Sequence, residues 1–193
     1  AFGSDPLVIA AAIRRGHDTV ADWAAALPPG REVVAYCVHG HEVSQGAVRA
    51  LAAQGVAARY LEGGIEDWKA VGAPTVRKLP DIGHGVLAAT RWVTRERPKI
   101  DRVACPWLVR RFVDPLAEFD YVPPERVLGA ARERKAVPYD VPGVQFTHRG
   151  ERCSFDAMLE DFQLREPALD ALAVIVRGAD TARLDLAPQA AGL

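Results

Sequence analysis

The stretch Val33-Val34-Ala35-Tyr36-Cys37-Val38-His39-Gly40-His41-Glu42-Val43-Ser44 decides how the first half of the chain is read. A short run of β character ends on a cysteine, and a His-Gly-His loop follows. Residues 44–54 then have helical spacing, with Val48, Leu51 and Ala52 on one face and Gly55 as the stop. A strand that hands over to a helix in this way puts Cys37 at the carboxyl edge of a parallel sheet, where α/β folds bind ligands. The unpaired amides and positive dipole end of the helix would face the sulfur and favour a thiolate or persulfide anion. Gly40 lets the loop curl with its N–H groups inward. His39 and His41 add donors, or a charge that titrates near neutral pH. The spacing fits equally a buried cysteine that ends a strand, because free cysteine is among the most buried residue types.

Outward from this loop, helix and strand alternate. Asp18-Thr19 offers an N-cap for a helix reaching Leu27, which Pro28-Pro29-Gly30 stops. Residues 56–61 form a second strand candidate, Gly63-Gly64 a turn and residues 65–71 a short helix, closed by Gly72-Ala73-Pro74. The alternation implies parallel pairing with right-handed crossovers. Two or three strands make a thin sheet, so a further strand is expected upstream of Ala1, outside this chain.

The whole sequence narrows the function classes. Its 193 residues fit one large domain or two small ones. Lys and Arg number 24 against 25 Asp and Glu, a net charge of −1, which argues against bulk attraction to nucleic acid or to a membrane surface. No apolar run has the length of a bilayer span, and no leader pattern opens the chain. Three cysteines, Cys37, Cys105 and Cys153, are too few and odd in number for a disulfide framework, which points to a reducing, cytoplasmic setting.

Residues 79–90, with Leu79-Pro80-Asp81-Ile82-Gly83-His84-Gly85 at their start, read as a linker. They separate a first domain over 1–78 from a second over 91–193. The second half reads as α+β and mostly helical. Strands are expected at 91–95, 118–122 and 144–148. One helix would have Pro106 in its first turn and run to Phe112, and another would open at Pro124 and reach Arg134. Phe155, Met158, Leu159 and Phe162 fall at amphipathic spacing, and a last helix would run from Pro167 to a stop at Gly178.

Two constellations in this half carry chemistry. Arg91, Arg95, Arg97, Lys99, Arg102, Arg110 and Arg111 interleave with Trp92 and Trp107, either as a solvated face paired to acids such as Glu118 and Asp120 or as an oxyanion or nucleic-acid contact. His148 and Cys153, with Glu151 between them and Asp156 after, are metal-ligand types at a turn, although the spacing matches no zinc knuckle. Core packing of His148 and of Cys153, just before an N-capping Ser154, is the plainer account.

The first half, about residues 7–76, resembles the rhodanese family. Tyr36-Cys37-Val38-His39-Gly40-His41 resembles the family's active loop, and Tyr60-Leu61-Glu62-Gly63-Gly64-Ile65-Glu66-Asp67-Trp68 with Gly72-Ala73-Pro74 resembles its closing signature. The resemblance implies an α/β domain, a parallel sheet flanked by helices, whose first strand is missing here. It also implies a sulfurtransferase. Cys37 would take a sulfane sulfur and pass it on as a persulfide, with Val38, His39, Gly40, His41, Glu42, Val43 and Ser44 cradling the sulfur and no cofactor required. Many members carry arginines beside the cysteine and near the loop's end, where this chain has Val38 and Glu42. A low-molecular-weight or protein persulfide is therefore expected as donor in place of thiosulfate, with a thiol as acceptor.

The second half, about residues 91–193, resembles the C-terminal domain of bacterial chromate-resistance proteins. The resemblance rests on Arg97-Pro98-Lys99-Ile100-Asp101-Arg102-Val103-Ala104-Cys105-Pro106-Trp107-Leu108, Asp140-Val141-Pro142-Gly143-Val144, His148 with Cys153-Ser154-Phe155-Asp156, and Val176-Arg177-Gly178-Ala179-Asp180. It implies a part in the response to chromate or oxidative stress, and a family pattern that continues past Leu193. Asp101, Arg102, Cys105 and Trp107 are the candidate functional residues of this half. Three readings follow: a persulfide-forming enzyme coupled to that response; a regulatory protein that senses an oxyanion such as chromate through Arg102, Arg110 and Arg111; and a metal-dependent redox protein using His148 and Cys153 with Cys105 or Asp101.

Overall fold

The computed structural model describes residues 5–83 and 88–193. The described residues divide into two compact units, one formed by residues 5–9 and 13–75, the other by 10–12, 76–83 and 88–193. The expected linker at 79–90 lies partly outside the described residues.

In the first unit, β1 (Leu7–Ile9) is a strand that local sequence did not mark, because three residues carry no readable alternation. Then come α1 (Val20–Ala24), β2 (Val33–Ala35), α2 (Glu42–Ala53), β3 (Ala58–Tyr60), α3 (Gly64–Ala70) and β4 (Thr75–Arg77), whose first residue closes the unit. The helix expected to reach Leu27 stops at Ala24 and relaxes into turns, in which Ala26 and Leu27 donate to the Trp23 and Ala24 carbonyls. β2 and β3 pair in parallel, with Val33 opposite Ala58 and Ala35 opposite Tyr60. The period of two sends Val33, Ala35 and Ala58 toward one core, where Val20 and Ala24 of α1 meet Ala47 and Leu51 of α2. The apolar stripe of α2 is thereby covered, and its first turn stands at the carboxyl end of β2.

The second unit is built on β5 (Arg91–Arg95), flanked by β6 (Glu118–Val122) and β7 (Val137–Pro138), all parallel. Both faces of the central strand are covered. Val93 packs against Val127, Ala130 and Ala131 of α5 (Val127–Arg134). Trp92, on the other face, is fully buried among Phe119, Tyr139, Phe146 and Phe162, at ring separations of 5.3–6.4 Å. Its indole N–H donates to Thr90 Oγ1, and that hydroxyl donates to Asp114, so the ring is buried with its polar atom satisfied.

Three expectations for this unit are corrected. Pro106 does not open a helix; it lies inside α4 (Asp101–Leu108). Its missing N–H leaves the Arg102 carbonyl without its usual intrahelical donor, and the Tyr121 hydroxyl donates there at 3.4 Å. The helix then widens into a π-helical turn over Val109–Val113. Residues 144–148 are not a strand: a single bridge joins Phe146 to Tyr139. Finally, α6 (Ser154–Asp161) is followed by α7 (Pro167–Asp180), which continues through Gly178. A side chain at Gly178 would meet the Ala190 Cβ and the Arg183 carbonyl at 3.0 Å each, so this glycine serves close packing rather than helix termination.

The ring cluster around Trp92 organises the second unit, so Trp92→Ala is expected to destabilise that unit by about 3–5 kcal/mol. Urea unfolding followed by far-ultraviolet circular dichroism measures the change. A loss under about 1 kcal/mol would mean that the cluster does not carry the core.

Candidate functional site

Cys37 leaves the end of β2 half-buried, and three constraints shape the loop that follows it. The carbonyls of Cys37 and Val38 accept the Ile65 and Glu66 amides, at 3.0 and 3.2 Å, from the first turn of α3. Gly64 sits between them with φ +62°, and a Cβ there would lie 2.4 Å from both carbonyl oxygens. Gly40 has φ +72°, and a Cβ there would lie 2.5 Å from the Leu61 carbonyl. The Gln45 side-chain amide also ties down the Gly40 carbonyl at 3.1 Å.

The sulfur is addressed by the start of α2. Burial opposes ionisation of the Cys37 thiol, but hydrogen bonds from the Ser44 hydroxyl and from the backbone amides of Ser44, His41 and His39 outweigh it and hold the thiol below its ordinary value. Ser44 Oγ is 3.3 Å from Cys37 Sγ and 3.2 Å from the His41 carbonyl, which accepts its proton. One hydroxyl proton serves both neighbours in turn. Beside a thiol, Ser44 donates to His41 and accepts from the sulfur; beside a thiolate, it can swing its proton to the sulfur.

Of the loop residues marked in the sequence, Gly40 and Ser44 are buried and Val38 is half-buried, while His39, His41, Glu42 and Val43 face solvent. The His39 and His41 rings stand 5.9 Å apart. No arginine lies in the loop, and Glu42 occupies the first turn of α2.

A second cluster lies wholly within the second unit. Asp101 begins α4 and is fully buried, and its carboxylate accepts the Ser154 and Phe155 amides at the start of α6. His148 Nε2 stands 3.0 Å from Asp180 Oδ2, 3.5 Å from Asp101 Oδ2 and 3.6 Å from Asp140 Oδ1. Asp140 is held by Arg95 at 2.8 Å, Arg102 at 3.2 Å and the Ser154 hydroxyl at 2.9 Å. Burial, and then the charge of Asp180, push the Asp101 carboxyl up to about 6, against the pull of the Ser154 amide; burial likewise raises Asp180. Asp101, His148 and Asp180 each offer a ligand atom, all within 4.8 Å of one another, and so form a candidate metal-binding triad.

The expected pairing of His148 with Cys153 as metal ligands is thereby corrected. Cys153 is fully buried, and its thiol donates to Asp156 Oδ2 at 3.4 Å in the cap of α6. Burial and the neighbouring Asp101 charge hold that thiol protonated. Cys105 is also fully buried, and burial raises its thiol well above the ordinary value. Arg102, expected to sense an anion, is taken up by Asp140 and by the Glu96 carbonyl. Trp107 is part of a different feature, a shallow surface cleft of about 310 Å³ that it lines with Pro106, Arg110 and Arg111.

Asp140 and Asp180 were not marked as site residues by the sequence. Only their place inside two of the stretches resembling the chromate-resistance domain set them apart. The distance along the chain from Asp101 to Asp180 spans most of the second unit, beyond the reach of any spacing rule.

A family model described as "ChrB, C-terminal domain" matches residues 92–193, and one described as "Rhodanese-like domain" matches residues 11–71. Protein ChrB of Cupriavidus metallidurans is 42% identical over 76 residues, which make up 39% of this chain and 22% of that protein. The matched stretch is thus about a fifth of the length of that relative. No solved structure matches. Among the described residues, no helix is long and apolar enough to cross a membrane.

Because Ser44 supports the thiolate directly, Ser44→Ala is expected to move the pH dependence of Cys37 alkylation to higher pH. Rates with iodoacetamide across pH measure it. An unmoved midpoint would mean that the backbone amides act without the hydroxyl.

Proposed function

We propose, for a chain that belongs to the ChrB C-terminal-domain family and also carries a rhodanese-like domain, that Cys37 forms a persulfide and passes its sulfur to a thiol acceptor. The observation that carries this reading is the ring of donors on the sulfur: the Ser44 hydroxyl with the amides of His39, His41 and Ser44. Such donors stabilise an attacking thiolate and the terminal anion of a persulfide alike.

The reaction runs in two balanced displacements. The Cys37 thiolate attacks the outer sulfur of a donor persulfide, a new S–S bond forms at Cys37, and the donor leaves as its thiolate. An acceptor thiolate then attacks the terminal sulfur and releases Cys37 as a thiolate. Neither step needs a metal or an organic cofactor. Val38 and Glu42 bring no positive charge to the loop, which disfavours thiosulfate and favours a low-molecular-weight or protein persulfide. We further propose that this chemistry serves a chromate or oxidative-stress response, as the resemblance of the second half to chromate-resistance proteins suggests, and that it does so in the cytoplasm, as the sparse, odd number of cysteines suggests. Neither nucleic acid nor membrane is assigned as a partner. The proposed division is a rhodanese-like domain over 1–78 and a second domain over 91–193, joined by residues 79–90.

A second reading, an anion-binding regulatory protein, is favoured by one observation. Arg110 and Arg111 line the same cleft as the exposed Trp107, which suits an oxyanion such as chromate at the surface. Arg110 is already engaged by the Ala117 carbonyl and the Phe119 ring, so Arg111 would carry most of that contact.

Intact-mass measurement after incubation with glutathione persulfide is expected to show a gain of one sulfur, about 32 Da, that Cys37→Ser abolishes and thiosulfate does not produce. No gain with either donor would make the loop a scaffold and leave the anion-binding reading.

A further inference from the structure

We propose that Asp101, His148 and Asp180 form a binding site for a divalent transition-metal ion. The triad joins the start of α4, the turn before α6 and the last residue of α7. Three separate elements thus converge on a span that a single ion can bridge.

The placement of the neighbouring arginines points the same way. Arg95 and Arg102 both engage Asp140, which leaves Asp101 and Asp180 without an arginine or lysine partner among the described residues. Asp101 is fully buried and Asp180 largely so. Buried carboxylates need a partner set directly against them, and with both arginines drawn to Asp140 the gap between Asp101 and Asp180 is faced by the His148 imidazole, an arrangement that a bound cation completes.

The surroundings also favour a metal over a simple ion pair. The Ser154 and Phe155 amides hold the Asp101 carboxylate, and the Asp101 amide reaches Asp180 Oδ1 at 3.4 Å. Ligands are therefore oriented before anything binds, as outer-shell hydrogen bonds do around metals. Half-exposed His148 leaves one side open for entry and for a water ligand. One imidazole with two carboxylates suits Mn²⁺, Fe²⁺ or Zn²⁺, whereas a soft ion such as Cu⁺ takes thiolate or thioether ligands, which the triad does not offer. The inference does not rest on the Cys37 chemistry.

The test uses the full chain without an affinity tag, as Cys37→Ser so that the loop sulfur cannot compete. Mn²⁺ or Zn²⁺ is added singly; bound metal is counted after gel filtration, and the thermal midpoint is read with and without ion. One equivalent of at least one ion per chain is expected, with a midpoint raised by a few degrees. Asp180→Asn and His148→Gln, checked for folding by circular dichroism, should each lose the equivalent and the rise. If the parent chain retains neither ion and its midpoint does not move, the proposal is overturned. It is equally overturned if the variants bind as the parent does. A midpoint that falls in His148→Gln by the same amount with and without metal would make the cluster an ion pair only.

Discussion

Two carbonyl oxygens, those of Cys37 and Val38, receive the first amides of α3, and the approach is so close that position 64 admits only glycine. This contact turns a strand end into a shaped loop. With those carbonyls held by α3, the chain can curl at Gly40 and aim the amides of His39, His41 and Ser44 toward the sulfur. The helix core of Val20, Ala24, Ala47 and Leu51 supports the arrangement from behind by fixing α2 on β2 and β3. An isolated loop would lose most of its donors to water; a loop pinned at both edges keeps them pointed at one atom.

The second unit follows a similar rule with a carboxylate in place of a sulfur. Asp101 reaches from α4 to cap α6, so one buried side chain joins two helices and faces the end of α7. The backbone on both sides of the cluster is unusual: Ile100, just before Asp101, has φ +39°, and Asp140 has φ +52°. β-branched residues avoid this region, and positions held there tend to occur where function sets the geometry. The parallel sheet and its rings around Trp92 supply the rigidity against which such strain is kept.

Much of the fold was legible, and the reasons are local. β5 and β6 coincide with their expected bounds because each carries three β formers, Trp92, Val93 and Thr94 in one and Phe119, Tyr121 and Val122 in the other. α2, α3 and α6 were readable from apolar spacing and from flanking glycines. The failures share a cause. Pro106 and Gly178 were read as boundaries from intrinsic preference, whereas Tyr121 in one case and Ala190 in the other supply the tertiary contact that makes an interior position tolerable. Residues 144–148 have strand composition but only one bridge partner. The cysteine loop could be read because all its parts lie within eight residues of Cys37 or in the short signature at Gly63-Gly64. Of the Asp101 cluster, Asp101 and His148 were marked but Asp140 and Asp180 were not, since its members meet only after the second unit has folded.

The measurement that tests the account most directly is the ultraviolet titration of the Cys37 thiolate, in the unaltered chain and in Gly64→Ala. The account predicts a thiolate that appears below the ordinary thiol range in the former. It predicts a return toward that range in the latter, with the unfolding of the second unit unchanged. A Cys37 that titrates as an ordinary thiol in the unaltered chain, or that keeps a lowered value when position 64 carries a side chain, would contradict the claim that the docked loop prepares this sulfur for transfer.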